Sequence, residues 1–287
     1  MIATARLPAT FGVEVDFDLR QAPTPAEAAE LRNLMAEHGL LLFRGHTLTG
    51  AEQMGAAACF GRVSCDGGGR PMEMHVSNTR QSSAPAGELI FHYDYAYDPD
   101  PITVISLYGE EIGAGSTPTL FASSAKAFDA LPPRLRHQVE TLSALHLCVM
   151  DRAAPAAERA AMTGARIERG QPGWGPKDWR NIRPLVWQSQ AGVKSLYACL
   201  QHTMRIMELP IGESDALLAE LFDHLYAPKN VYTHDWQPDD LVVWDNITVQ
   251  HCRPKPNDVP RTLRRYEVSD IDLTEQYLAV GRANKFL

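Results

Sequence analysis

The chain is short of paired cysteines, long apolar runs and excess positive charge, and each shortage excludes something. Its five cysteines (Cys59, Cys65, Cys148, Cys199 and Cys252) are odd in number, widely spread and never in a Cys-x-x-Cys pair. That argues against a disulfide framework and a zinc ribbon, and points to a reducing cytoplasm. No stretch approaches the roughly 20 apolar residues that span a bilayer. Met1 to Gly12 has neither the apolar core nor the charged preface of a signal peptide, so no membrane association is expected. Lys and Arg number 27 against 35 Asp and Glu, a net charge of −8. A surface that neutralises phosphates is ordinarily basic, so no nucleic-acid partner is expected either. No repeat of solenoid period is visible, and no composition shift marks a domain boundary.

What is present is ordinary for a globular protein: 287 residues, 45% apolar and 22% charged. One large β-sandwich or barrel with helical additions fits that length. Thr24 caps a helix to about Glu37, with Pro25 at its first position, Glu27 completing a capping box and Gly39 ending it. A second box, Thr49 with Glu52, opens a helix that ends near Gly61. Leu40 to Phe43 reads as a buried strand. Glu88 to Tyr95, Ile102 to Tyr108, Val231 to Trp236, Leu241 to Trp244 and Arg261 to Val268 also have strand composition. Arg183 to Trp187 and Val193 to Cys199 read as a hairpin, and Ser214 to Tyr226 as an amphipathic helix. Further helices are expected over Ser123 to Leu131 and Arg134 to Leu142. The Gly-, Ser-, Pro- and Arg-rich Ser64 to Gly87 is expected to be irregular loop. Residues 151–181 are expected to form a lid or insertion within a single domain, 1–287. Many short strands with peripheral helices predict a mainly β fold.

Within the predicted strand Glu88 to Tyr95, alternation with period two sends His92 and Asp94 to one face. An imidazole beside a carboxylate suits a divalent first-row metal; the bland reading of so short a motif is a hydrogen-bonded pair. Far along the chain, the apolar strand at Leu241 runs into Asp245 and Asn246, then His251. His251 would complete a two-histidine, one-carboxylate set that leaves positions open on an octahedral iron. With ten histidines in the chain, spacing alone does not select it. In Arg261-Thr262-Leu263-Arg264-Arg265, Arg261 and Arg265 share a strand face. Two guanidiniums there call for carboxylate-like partners, unless the segment is a solvated basic edge strand.

The order His-x-Asp, a distant Trp-Asp-Asn…His, then Arg-x-x-x-Arg resembles the taurine dioxygenase/TfdA family of Fe(II)/2-oxoglutarate dioxygenases. The likeness spans nearly the whole chain. Phe11 to Asp16, Gly39 to Gly45, Phe60-Gly61, Arg183-Pro184-Leu185-Val186 and Trp236 to Asn246 are all similar to family segments. The resemblance implies a double-stranded β-helix (jelly roll, cupin-like) and an oxidoreductase using Fe(II), 2-oxoglutarate and O2. It implies that His92, Asp94 and His251 bind iron, that Arg261 and Thr119 hold the far carboxylate of 2-oxoglutarate, and that Arg265 holds an acidic group of the substrate. The substrate so implied is a small acidic molecule, hydroxylated or desaturated while 2-oxoglutarate becomes succinate and CO2. Because Asp94 fills the third protein position, halogenation is not expected. Tyr93 stands where the family has Thr or Ser, and Ser116-Thr117-Pro118 replaces its Gly-Gly-Asp. Tyr93 and His75 are further candidates for substrate contact, a solvated loop residue being the alternative for His75. A homo-oligomer is left open. Two readings from other classes use the same residues: a zinc-type hydrolase or isomerase, and a non-catalytic jelly-roll binding module.

Overall fold

Both capping boxes form. In a computed structural model, which describes residues 2–269 apart from 67–68, 83, 85–86, 101, 149–153, 164–178 and 190, Thr24 caps α1 (Pro25–His38) and Thr49 caps α2 (Gly50–Ala58). Gly39 ends α1 with φ +73°, a left-handed turn, and a Cβ there would lie 2.9 Å from Val249 Cγ2. The chain leaves that turn directly into a strand.

Strands in the first half are β1 (Ala3–Arg6), β2 (Val13–Asp16), β3 (Leu40–Phe43), β4 (Met74–Ser77), β5 (Leu89–His92), β6 (Val104–Ile112), β7 (Thr119–Ser123) and β8 (Ser143–Leu147). The rest are β9 (Arg180–Pro184), β10 (Val186–Gln188), β11 (Lys194–Leu196), β12 (Thr203–Ile206), β13 (Val231–His234), β14 (Leu241–Asp245), β15 (Val249–Arg253) and β16 (Arg261–Val268). The helices that follow α2 are α3 (Ser124–Asp129), α4 (Pro133–Val139), α5 (Ala156–Ala161) and α6 (Ile211–Leu225). A seven-stranded sheet runs β1-β2-β3-β14-β6-β16-β4, and a four-stranded sheet runs β13-β7-β15-β5. These are the two sheets of a jelly roll.

The continuous apolar runs of β3 and β14 follow from burial on both faces. Leu40, Leu42, Val242 and Trp244 enter the core shared with Phe121 and Val249 of the smaller sheet. Leu41, Phe43, Leu241 and Val243 point the other way, against Leu31 and Met35 of α1 and Ala56 and Ala57 of α2. A third cluster joins α3, α4 and α6 to Ala144, Leu196 and Ile206. Trp244 is fully buried, 5.2 Å from Phe121 and 4.9 Å from His251, ring to ring. Trp244→Ala should therefore cost about 3–5 kcal/mol, read as a shift of the urea midpoint. An unmoved midpoint would show that this core does not depend on it.

Three expectations change. Arg180–Pro184 pairs with β8, and only Val186–Gln188 pairs with Lys194–Leu196; Leu185 N–H bonds Leu142 O and separates the two pairings. The segment expected to be irregular contains β4, an edge strand held by β16. Strand β5 ends at His92, two residues short of Asp94. Most of the expected lid at 151–181 lies outside the described residues; α5 and the start of β9 are the parts within them.

Candidate metal and cofactor site

Strands β5 and β15 are neighbours in the smaller sheet, with His92 directly opposite His251. Their imidazole centroids are 4.2 Å apart. His92 Nδ1 lies 2.7 Å from Ile90 O. A carbonyl only accepts, so Nδ1 carries the proton and Nε2 keeps its lone pair. That lone pair faces Asp94, with Nε2 3.5 Å from Oδ1, while His251 Nε2 lies 3.7 Å from Oδ2. All three donor atoms fall within 4.8 Å of one another.

Asp94 lies beyond the strand and is held by a side chain instead. Asn246 Oδ1 accepts from Asp94 N at 3.2 Å, and its Nδ2 donates to Asp94 O and Ile102 O, each at 3.0 Å. Burial would raise the Asp94 pKa, but Arg265 and the two imidazoles outweigh it and hold the carboxyl well below the usual range. Burial, then the neighbouring His92, holds His251 well below its ordinary value. An ionised carboxylate and an uncharged imidazole are the forms that bind a cation. The donor set and its protonation fit a divalent metal of intermediate hardness.

Arg261, 2% exposed, comes from the facing sheet. Its Nη2 donates to Thr119 Oγ1 at 3.0 Å, and Trp236 Nε1 donates to the same oxygen at 2.9 Å. Both lone pairs of that hydroxyl are thereby used, which leaves its proton to offer to another acceptor. Among the described residues, Arg261 Nε is buried without a partner and its guanidinium forms no ion pair with a carboxylate. Burial, then Arg253, pushes its pKa down to about 9. A cation so placed would be stabilised by an anion next to Thr119.

Arg264 and Arg265 part ways. Arg264 turns outward and donates to Gln53 Oε1, Glu110 Oε1 and Leu48 O, each at 2.7 Å. Arg265 turns inward, where its Nη2 bonds Asp94 Oδ2 at 2.7 Å and also meets Glu267. Burial lowers its pKa, but Asp94 and Glu267 more than reverse that and raise it. The arginine expected to hold an acidic group of the substrate thus has two carboxylates of its own.

Two residues expected to contact the substrate are placed away from the triad. Tyr93, just past the end of β5, is fully buried; its hydroxyl bonds Ser124 and Leu196 O, and its ring stacks on Tyr197 at 4.4 Å. His75 lies opposite Arg264, on the outward face of the large sheet, 3.4 Å from Glu110. Neither is brought to the triad. Three residues near the site were not singled out in the sequence: Asn246, Glu267 and His202. The first two were open to reading, one in the Trp-Asp-Asn segment and the other two positions after Arg265. His202 had no signal at all. It is buried edge-on to His92 at 6.2 Å and to Tyr97 at 5.0 Å, and burial, then His92, lowers its pKa to about 3.

Comparison with known proteins identifies the family. A family model described as "Taurine catabolism dioxygenase TauD, TfdA family" matches residues 3–266. The chain is 29% identical to the alpha-ketoglutarate-dependent 2,4-dichlorophenoxyacetate dioxygenase of Cupriavidus pinatubonensis over 90% of this chain and 94% of that protein. It is 30% identical to the (S)-phenoxypropionate/alpha-ketoglutarate-dioxygenase of Sphingobium herbicidovorans over 86% and 87%. Among solved structures, AAD-2 in complex with Mn(II) and N-oxalylglycine superposes with a TM-score of 0.73 at 26% identity, covering 94% of this chain and 97% of that one. Sequence, fold and the convergence of His92, Asp94 and His251 lead to one assignment: the chain belongs to the TauD/TfdA family and is a dioxygenase dependent on Fe(II), 2-oxoglutarate (alpha-ketoglutarate) and O2.

Proposed function

We propose that this chain hydroxylates a C–H bond of a small organic molecule, with His92, Asp94 and His251 as the iron ligands and Arg261 with Thr119 as the seat for the far carboxylate of 2-oxoglutarate. Desaturation is the alternative exit of the same chemistry. When bound, the metal with 2-oxoglutarate and O2 supplies the oxidant, and the protein supplies placement. The observation that carries the reading is Arg261: a buried guanidinium with no carboxylate partner among the described residues, sharing the Thr119 hydroxyl with Trp236. A hydrolase using the same triad has no need of that arrangement. Small organic acids appear in the names of both relatives, 2,4-dichlorophenoxyacetate and (S)-phenoxypropionate; a small organic substrate is carried over from them.

Each protein group has a defined task in this reading. His92, with Nδ1 held by Ile90 O, presents Nε2 in a fixed direction. Asn246 fixes the main chain of Asp94 on both sides. Phe121 and Trp244 pack against His251, at 6.5 and 4.9 Å, and keep water from that side.

The test is spectroscopic. Anaerobic addition of Fe(II) and 2-oxoglutarate should give a visible metal-to-ligand charge-transfer band. A folded, metal-loaded protein without that band would sink the proposal in favour of a hydrolase, and conversion of 2-oxoglutarate to succinate rejects a mere binding module. Asn246→Ala should weaken Co(II) binding about 10- to 100-fold, the range typical of groups that orient a ligand, as read by absorbance titration. Unchanged affinity would show that Asp94 needs no such support.

A further inference from the structure

We infer that Glu267 determines the substrate class of this site: it occupies the anion seat on Arg265, so the molecule oxidised presents no carboxylate or sulfonate to that guanidinium. The inference rests on the oxygenase reading above and departs from the acidic substrate that the sequence led us to expect.

The two inward arginines of β16 differ in their surroundings. Arg261 has a neutral hydroxyl as its side-chain partner, which suits a seat for an incoming carboxylate. Arg265 already meets two carboxylates, Asp94 and Glu267. Glu267 is 2% exposed, and its Oε2 has no hydrogen-bond partner, so no other described group competes with Arg265 for this carboxylate. It stands two residues after Arg265 on the same strand, hence on the same face. Its backbone pairs with Ile105 of β6 inside the large sheet, so the carboxylate cannot move off with a loop.

The consequence is local to Arg265. Two carboxylates, Asp94 and Glu267, already face the one guanidinium. A substrate acid placed there would bring a third anionic group to a buried site, which is strongly unfavourable. An uncharged substrate brings none. Were residue 267 neutral, Arg265 would meet Asp94 alone, and an acid would be welcome there.

The experiment compares wild type with Glu267→Gln, both loaded with Mn(II) and N-oxalylglycine, and titrates each calorimetrically with sodium methanesulfonate and sodium acetate at constant ionic strength. N-oxalylglycine binding is scored first, because its failure in wild type would overturn the oxygenase reading and this inference with it. With that binding in place, Glu267→Gln should take up the anions at least about tenfold more tightly than wild type, and the double variant E267Q/R265Q, brought to the same Mn(II) and N-oxalylglycine saturation, should lose the gain. Equal anion affinity in wild type and Glu267→Gln, including no binding by either, overturns the inference, as does a gain that survives in the double variant. If Glu267→Gln fails to fold, Glu267→Thr removes the carboxylate with a smaller side chain and is read in the same way.

Discussion

Asp94→Ala should abolish substrate-dependent succinate formation and weaken Co(II) binding by about 100-fold or more. Loss of a group that merely orients a ligand costs 10- to 100-fold, and Asp94 is itself the only anionic member of the cluster with His92 and His251. Two neutral imidazoles remain in the variant, and they do not balance the charge of a divalent cation. Glu267, a carboxylate on the same inward face, is engaged by Arg265. The fold should survive, because Arg265 keeps one carboxylate and the Asn246 bonds run to the main chain of residue 94 rather than its side chain. Circular dichroism and the urea midpoint of the apoprotein separate this outcome from unfolding. Asp94→Asn, which preserves shape but not charge, should bind metal more weakly than wild type. Retained turnover in Asp94→Ala would mean that another carboxylate is the ligand.

The parts of the fold legible in the sequence were those set by local chemistry. Thr24 with Glu27, and Thr49 with Glu52, form complete capping boxes, and both helices start there. The Leu40–Phe43 and Leu241–Trp244 runs are apolar on both faces because each face meets a separate core. Strands defined by distant partners were harder to read. Met74–Ser77 carries little strand signal of its own and is ordered by Arg261–Val268; Arg180–Pro184 finds its partner in β8 rather than in the next segment. Neither pairing is encoded at hairpin distance.

The site shows the same division. His92 and Asp94 were legible as a pair, although the mechanism differs from simple strand alternation. The strand stops at His92, and Asn246 brings Asp94 round. His251 was one histidine among ten until β15 set it opposite His92. The Tyr93 expectation conflicted with information already present, since period two sends residue 93 away from any site that His92 faces. Glu267 followed from the same rule applied to Arg265. What the chain alone could not give was the pairing state of the two arginines, because it depends on which carboxylates the facing sheet and the strand ends deliver.

That difference in pairing makes the second large effect specific. Arg261→Ala should raise the 2-oxoglutarate concentration needed for half-maximal succinate formation by about 100- to 1000-fold and leave Co(II) affinity within roughly twofold of wild type. Truncating one partner of a buried, hydrogen-bonded charge pair costs on the order of 2–5 kcal/mol, and each 1.4 kcal/mol is about tenfold. The cofactor's far carboxylate would lose the guanidinium but keep the Thr119 hydroxyl, itself still oriented by Trp236 Nε1. Thr119→Val should therefore have the smaller effect, about 5- to 10-fold, in line with one hydrogen bond. Arg261→Lys should recover only part of the loss, because an ammonium offers a point charge rather than a planar fork. The apoprotein should not lose stability through Arg261→Ala, since the side chain removed is a buried cation without a carboxylate partner. Arg265→Ala should do the reverse, disturbing metal binding through Asp94 Oδ2 while the 2-oxoglutarate requirement at saturating metal changes little. If the two variants exchange phenotypes, the cofactor lies against Arg265, and the inward face of β16 has been assigned the wrong way round.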